Sequence, residues 1–180
     1  MTVSRAPGEL EIVRAFVNTL EVEDGSDELE SPEALARWLR ERGLMHGARA
    51  SRADLFEARR LREALRALLL VNNGVSVRKE AAATLDRAAR RTRLAVRFGP
   101  GGTVRAEPAA GGVEGALGRL LGIVAAAMAD GSWARLKACR ADDCRWAFYD
   151  RARNRSRHWC SMAVCGNRTK ARAYRRRHAA

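Results

Sequence analysis

Four cysteines constrain the fold of this chain more than any other feature. Cys139, Cys144, Cys160 and Cys165 are all the cysteines of the 180-residue sequence, and they lie within 27 residues. They form two C-x4-C pairs separated by 15 residues. Two close pairs joined by a short insert are typical of one tetrahedral Zn²⁺ site. Because four thiolates fill the coordination sphere, the spacing predicts one structural Zn²⁺ per chain and no catalytic metal position.

Disulfides and iron–sulfur clusters fit this cysteine pattern less well. The N-terminal residues MTVSRAPGELEIV lack the apolar segment of a secretory signal, and the longest apolar run, 123–129, is far shorter than the ~20 residues of a membrane span. We therefore expect a cytoplasmic protein without a membrane segment, and disulfides are rare in the cytoplasm. Iron–sulfur proteins use different cysteine spacings. His158 is an alternative metal ligand, although four cysteines already suffice.

The residues between and after the cysteines predict a small zinc-dependent fold. RWAFYD (145–150) alternates and is aromatic-rich, which predicts a strand, and RHWC (157–160) would be its return strand. The residues after Cys160 have helical periodicity, and the apolar side of that helix is expected to pack on the hairpin. A knuckle, a hairpin and a helix form a treble-clef-like module. About 40 residues give too small a core to fold without such a metal.

The charge of the chain is concentrated around these cysteines. Residues 139–180 hold 12 Lys and Arg against 3 Asp and Glu, so +9 of the net +13 lies there. Such a concentration favours a polyanionic partner, although two or three arginines would only balance the charge of a zinc ion held by four thiolates. We predict that the nucleic-acid contacts come from a turn and from the last helix: Arg151, Arg153, Arg155, Arg157, Arg168, Lys170, Arg172, Arg175 and Arg176.

The first 138 residues predict a mainly α-helical domain with one β-hairpin. Apolar periodicity indicates helices from Leu10, from Ser31-Pro32, from Ser51 to Asn72 and over 79–91. Alternation around GPGG predicts a hairpin over 93–108. A further helix is expected over 112–130 with Met128 facing inward, and a short helical lead over 133–138. The predicted domains are 1–133 and 134–180.

One polar pair interrupts the apolar pattern of the first helix. Asn18 and Thr19 follow Phe16 and Val17 and precede Leu20. A helix C-cap explains the pair most simply. The alternative is a polar anchor in a small-molecule pocket, with Trp38 as a wall.

The C-terminal segment resembles a known family. CRADDCRWAFYDRARNRSRHWCSMAVCGNRTKARAYRRR is similar to the CGNR zinc finger, named for the motif that stands here at residues 165–168. The resemblance implies that the four cysteines are zinc ligands. FVNTL (16–20), SPEALARWL (31–39) and LREALRALL (61–69) resemble the ABATE domain, the usual N-terminal partner of this finger. That family is described as bacterial transcriptional regulators linked to stress.

Together these features predict a DNA-binding transcriptional regulator and no enzyme. H-E-x-x-H, G-x-S-x-G, Walker A and zinc-deaminase motifs are all absent from the sequence. The N-terminal domain would sense a small-molecule effector or mediate homodimerisation. The alternative function is an RNA-binding or protein-assembly adaptor with a structural zinc finger. Stacking by exposed Trp146, Tyr149 or Trp159 would favour RNA, whereas base-edge readout by a helix would favour DNA.

Overall fold

The chain is mainly α-helical with two small antiparallel sheets, as predicted. A computed structural model describes residues 4–76 and 79–178. Its helices are α1 (Leu10–Val17), α2 (Pro32–Glu41), α3 (Arg52–Val71), α4 (Lys79–Arg91), α5 (Gly112–Ala129) and α6 (Asn167–His178). Strand β1 (Leu94–Phe98) pairs with β2 (Val104–Pro108), and β3 (Leu136–Ala138) pairs with β4 (Ala147–Tyr149).

Local capping chemistry sets the starts of α2 and α3. The Ser31 hydroxyl accepts a hydrogen bond from the Ala34 N–H, and Pro32 occupies the first helical position. Ser51 and Asp54 form a reciprocal capping box at the start of α3. The predicted starts of both helices are confirmed, as are the predicted bounds of α4.

Helix α5 lies at the centre of the main core, which it shares with α1, α2 and α3. Leu120 of α5, Phe16 of α1, Leu35 of α2 and Leu65 of α3 are all fully buried there. A Cβ at Gly118 would strike the Pro108 side chain and one at Gly122 the Ala106 carbonyl oxygen, so glycine allows strand β2 to lie directly against this helix. Met128, expected inside, is 46% exposed because it lies on the outer side of α5 near its end.

The β1–β2 hairpin carries an uncovered apolar side. Val96 is paired with Ala106, and Phe98 with Val104. The exposures of Val96, Phe98 and Val104 are 59%, 81% and 59%. The turn between the strands needs glycine, since Gly101 and Gly102 have φ of +74° and +77°.

The short strand β4 separates two hydrophobic clusters. Ala147 and Tyr149 face the main core, together with Leu136 and Ala138 of β3. Phe148 faces the other way, into a smaller cluster with the cysteines. This is the two-residue alternation of a strand. The C-terminal segment therefore packs into the same core as the helices, and the boundary near residue 133 stays a prediction.

Side-chain amides close the edges of this small sheet. Asn18 donates from Nδ2 to the Ala147 carbonyl at 2.9 Å and accepts from the Ala147 N–H at 2.7 Å. On the other edge, Nδ2 of Asn72 donates to the Leu136 carbonyl and Nδ2 of Asn73 donates to the Ala138 carbonyl. Buried backbone groups need such partners, so these three residues join the helical layer to β3 and β4.

Three local predictions for the C-terminal segment are wrong. Residues 157–160 form no strand, and β4 pairs instead with β3, which precedes the first cysteine. The expected helical lead is a 3₁₀ turn at Ser132–Arg135 followed by β3. The apolar side of the last helix does not pack on the sheet: Val164 and Tyr174 are 42% and 58% exposed. The paired strands pack instead into the main core against α1 and α3, and they reach the cysteine cluster through Phe148.

Within the described ranges, α5 is the one helix whose length and hydropathy would suit a membrane span. Its mean hydropathy is 1.4 over 18 residues, and 56% of them are buried inside the protein. A central core helix passes the same test, so α5 is weak evidence for a membrane segment.

Replacing Asn18 tests its role at the sheet edge. Asn18→Ala removes both hydrogen bonds to Ala147 and leaves the Ala147 N–H and C=O buried without these partners. We expect the free energy of unfolding, measured in urea, to fall by about 2–3 kcal/mol. Asn154→Ala, in an exposed turn, is the matched control and should change it little. Equal effects of the two substitutions would contradict the role of Asn18.

Candidate zinc centre and nucleic-acid interface

The four cysteine sulfurs lie close together, at the spacing of a zinc site. All four Sγ atoms lie within 4.8 Å of one another. The Cys144–Cys160 and Cys160–Cys165 Sγ distances are both 3.6 Å. A tetrahedron with Zn–S bonds of about 2.3 Å has S···S edges of about 3.8 Å, so the observed spacing suits Zn²⁺. The predicted ligand set is thus brought together, and the site can bind one structural zinc ion.

Two turns deliver the cysteines. Cys139 follows β3, and the N–H groups of Cys144 and Arg145 both bind the Ala141 carbonyl, which curls the first pair into a knuckle. Cys160 precedes Ser161, whose hydroxyl accepts from the Val164 N–H and caps the π-helical turn Met162–Gly166 that carries Cys165. Neither pair is held by a disulfide, and Cys139, Cys144 and Cys165 are buried.

Crowding of the sulfurs favours metal binding. Hydrogen bonds from the Cys144 and Cys160 thiols lower the pKa of Cys139 to about 2. The neighbouring Cys139 raises the pKa of Cys144 to about 12 and also raises the pKa of Cys160. Four thiolates cannot share this space without a cation, because their mutual repulsion in a buried setting is large. A divalent ion would neutralise that repulsion.

A buried ion pair organises the arginine-rich turn. Lys137 of β3 donates from Nζ to the Asp150 carboxylate at 2.9 Å and also to the carbonyls of Arg155 and Arg157. The Asp150 carboxylate accepts from the N–H groups of Ala152 and Arg157 as well. Both side chains are at most 4% exposed. The backbone of residues 150–157 is therefore held by this pair, and the side chains of Arg153 and Arg155 are exposed to solvent.

Four of the nine predicted nucleic-acid residues are bound within the protein. Arg168 pairs with Glu23 and Asp143 and approaches the Cys165 sulfur at 3.9 Å. Arg172 binds Asp143, and Arg157 donates to the Cys160 carbonyl. Arg151 donates to the Ser4 hydroxyl and the Arg5 carbonyl. These arginines have a structural use whatever else they contact.

The other five predicted residues carry no side-chain ion pair or hydrogen bond within residues 4–76 and 79–178. They are Arg153 and Arg155 in the turn and Lys170, Arg175 and Arg176 on α6, and all five are exposed. Arg177, which was not among the predicted residues, is equally exposed. Helix α6 contains six basic residues and no acidic ones, and none of its side chains is buried. It is a projecting, strongly cationic helix.

The three residues predicted to form a ligand pocket are buried but bind the protein itself. Asn18 binds Ala147 and is the C-cap residue of α1. The Thr19 hydroxyl donates to the Phe16 carbonyl and accepts from Arg62. Trp38 packs edge-on against Phe16, with its Nε1 buried and without a hydrogen-bond partner in the described part of the chain. Their role as pocket residues stays a prediction.

The residues that connect the helices to the zinc centre were not predicted from the sequence. Arg66 of α3 donates to the carbonyls of Val17, Leu20 and Arg145. Asn73 accepts through Oδ1 from His158 Nδ1 and donates through Nδ2 to the His158 carbonyl. The position of Arg66 on an apolar helix face was the one sequence signal that it is buried and structurally important. Asn72 and Asn73 matched the end of a helix, and nothing in the sequence indicated their contacts near the zinc centre.

Metal content and local protection test the zinc centre. We expect about one zinc per chain, and far less in Cys160→Ser, because a three-sulfur site loses one of its four metal bonds. In that variant, amide hydrogen exchange should become fast over 150–178 and stay slow in α3, which has its own core. Met162→Ala, beside the site but 46% exposed, should retain the metal. Wild-type protein that is folded in this region without zinc would contradict the assignment.

The Lys137–Asp150 pair gives a second test. Asp150→Ala leaves the Lys137 ammonium buried without its counterion and should lower the free energy of unfolding by about 3–5 kcal/mol. Asp142→Ala removes a carboxylate whose side chain is 89% exposed and should have little effect.

The pH dependence of Asp150 has a defined sign. Burial opposes ionisation, but hydrogen bonds from Lys137, Ala152 and Arg157 outweigh it, so the pKa of Asp150 lies below its usual value. Its contribution is therefore present above the unfolded-state pKa of about 3.9 and is lost as the pH falls through the lower folded value. Asp150→Ala should lack that part of the acid-induced loss. An unchanged profile would contradict the pairing.

Comparison with known families agrees with this geometry. A family model for the CGNR zinc finger matches residues 135–178. The model for ABATE, described as "Putative stress-induced transcription regulator", matches residues 11–131, which is more than half of the chain. A search of the curated proteins finds no match. The chain belongs to the ABATE family and carries a C-terminal CGNR zinc finger.

Proposed function

We propose that this protein is a DNA-binding transcriptional regulator whose zinc-stabilised segment contacts the duplex through α6 and the 151–157 turn. The observation that supports this most is the projecting helix α6, with six basic residues, no acidic ones and no buried side chain. A major groove about 12 Å wide admits such a helix. Among the described residues, α6 is held near its start by the cysteine turn and by the ion pairs of Arg168 and Arg172, so the helix is positioned and still accessible.

The surface of the finger favours DNA over RNA. Single-stranded RNA is bound largely by stacking of bases on exposed aromatic side chains. Tyr149 is only 9% exposed, and Trp146 and Trp159 pack against the cysteine cluster. The three aromatic residues that would have favoured RNA are thus occupied in the fold. The adaptor alternative has the weaker support of Val164 and Tyr174, two exposed side chains on a surface that is otherwise strongly cationic.

We assign the phosphate contacts to the five predicted residues that have no side-chain partner within residues 4–76 and 79–178. Arg153, Arg155, Lys170, Arg175 and Arg176 can exchange water for phosphate without breaking an ion pair, whereas Arg168 would have to give up Glu23 or Asp143. If all five engage phosphates, the slope of log K against log salt on duplex DNA should be about −4.5.

Single substitutions test this assignment. Arg175→Ala should flatten the salt slope by about 0.9 and weaken binding to all sequences alike, because one phosphate contact is lost. Fluorescence anisotropy of a labelled duplex with the zinc-loaded full chain measures both quantities. Arg87→Ala, an exposed arginine of α4, is the matched control and should change neither.

The outcomes separate the candidate functions. Salt-dependent binding to duplex DNA that exceeds binding to single-stranded RNA supports a DNA-binding regulator. Tighter binding to RNA than to DNA would support the alternative of an RNA-binding protein. Absence of binding to either at low ionic strength would mean that the charge is structural and would favour the protein-assembly adaptor.

The N-terminal domain is proposed to sense an effector, and homodimerisation is the other role we keep for it. The uncovered side of the hairpin, with Val96, Phe98 and Val104 all more than half exposed, is the observation that favours self-association. Sedimentation of the full chain and of Phe98→Ser distinguishes a monomer from a dimer formed there. The cytoplasm is the compartment that a DNA-binding regulator of bacterial type would occupy.

A further inference from the structure

A groove of about 1000 Å³ opens between α3, α4 and the segment that follows α1. Its floor is apolar and includes Leu20, Ala64, Ala67 and Leu70. At the rim, the Phe56 ring is 59% exposed. Small-molecule sites in proteins are mostly apolar concavities of about 300–1000 Å³, so the groove is large enough for an organic ligand.

The charges around the groove favour an anion. Arg59, Arg60, Arg66 and Arg145 line it, against two carboxylates, Glu63 and Glu80. Glu63 is already paired with two arginines, at 3.0 Å from Arg62 and from Arg66. Arg59 is paired with Asp27 and Arg145 with Asp142, so the excess positive charge of the groove rests mainly on Arg60.

Arg60 is the residue best placed to hold an anionic group. Its guanidinium lies over the exposed Phe56 ring, 5.5 Å from the ring centre. Its nearest carboxylate, Glu57, is 3.7 Å away, which is beyond hydrogen-bonding distance. In the part of the chain that the structure describes, its donors form no hydrogen bond. Arg59, by contrast, uses two donors on the Leu29 carbonyl.

We infer that this groove binds an amphipathic organic carboxylate, with its apolar body on the α3 floor and its carboxylate on Arg60. The site is distinct from the Asn18, Thr19 and Trp38 set, none of which lines it. A guanidinium binds a carboxylate through two parallel hydrogen bonds, and the neighbouring Phe56 ring extends the apolar contact.

The groove is connected to the zinc centre through two arginines. Arg145 lines the groove and directly follows the ligand Cys144. Arg66 also lines it, and donates to the Arg145 carbonyl at 2.9 Å and to the Val17 carbonyl at 2.7 Å. A ligand in the groove therefore contacts groups that position the knuckle. We expect it to change the stability of the finger, and, as far as the proposed function holds, the affinity for DNA.

Binding is tested with octanoate on the zinc-loaded full chain by titration calorimetry. We expect saturable binding of one octanoate per chain and binding of octanol at least about tenfold weaker, because a charge-assisted contact is missing. Arg60→Gln should weaken octanoate by about tenfold. Arg87→Gln, an exposed arginine of α4 outside the groove, should leave the affinity unchanged.

A second pair of variants tests the location. Ala67→Trp fills the floor and should abolish binding, whereas Ala82→Trp, on the exposed side of α4, should retain it. Circular dichroism checks that each variant is folded. If Ala67→Trp is unfolded, the effect of Arg60→Gln on octanoate affinity decides whether the ligand binds in the groove. Equal affinity for octanoate and octanol, or undiminished binding to Arg60→Gln, would overturn the proposal.

Two readouts separate the site from the proposed function. The rate of zinc release to a chelator, with and without octanoate, reports the connection to the knuckle without any DNA. A changed rate supports the connection, and an unchanged rate overturns it. If octanoate changes the rate of zinc release and the protein binds no DNA, the groove is supported as a ligand site and the proposed DNA-binding function is contradicted. If DNA binds with the same affinity with and without octanoate, the ligand has no regulatory role in DNA binding.

Discussion

The hydrogen bonds that close both edges of the sheet β3–β4 are the constraint on which the rest of the structure depends. Each strand has three residues, and a sheet of this size is unstable alone. It can be buried only if its outer N–H and C=O groups find partners. Asn18 supplies them on one edge, and Asn72 and Asn73 on the other. The ends of α1 and α3 thus determine where the zinc centre is located.

The placement of the sheet also explains how so basic a segment can fold. Metal coordination gathers Cys139 and Cys144 with Cys160 and Cys165, and the main core holds the other side of β4. Acidic groups then bind selected arginines: Asp143 takes Arg168 and Arg172, and Glu23 takes Arg168. The remaining positive charge is left on α6 and the turn. Electrostatic repulsion among these residues is tolerated because the metal site and the main core independently fix the backbone that carries them.

Features with a local cause could be predicted from the sequence. Ser31-Pro32 and Ser51 with Asp54 determine helix starts through contacts within four residues, and both were predicted. The zinc ligands were also predictable, since ligand type and spacing reflect the metal. The return strand at 157–160 failed because strand pairing is a long-range choice, and β3 offered the better partner. No pattern within residues 151–176 could show that Glu23, 145 residues from Arg168, would bind it.

Helix α5 has a consequence for how the chain is made. Its composition resembles that of a membrane span because close approach of β2 requires glycine at 118 and 122, and the core requires leucine and valine around them. Such a helix would be prone to aggregate if it emerged from the ribosome with no surface to pack on. Of the elements that contact it, α1, α2, α3, α4 and β2 precede it in the chain, and the adjoining 3₁₀ turn Ser132–Arg135 follows it directly. The order of synthesis therefore supplies most of the surface before the helix that needs it, and the metal-binding residues, which follow the helix, dock onto a core already largely assembled.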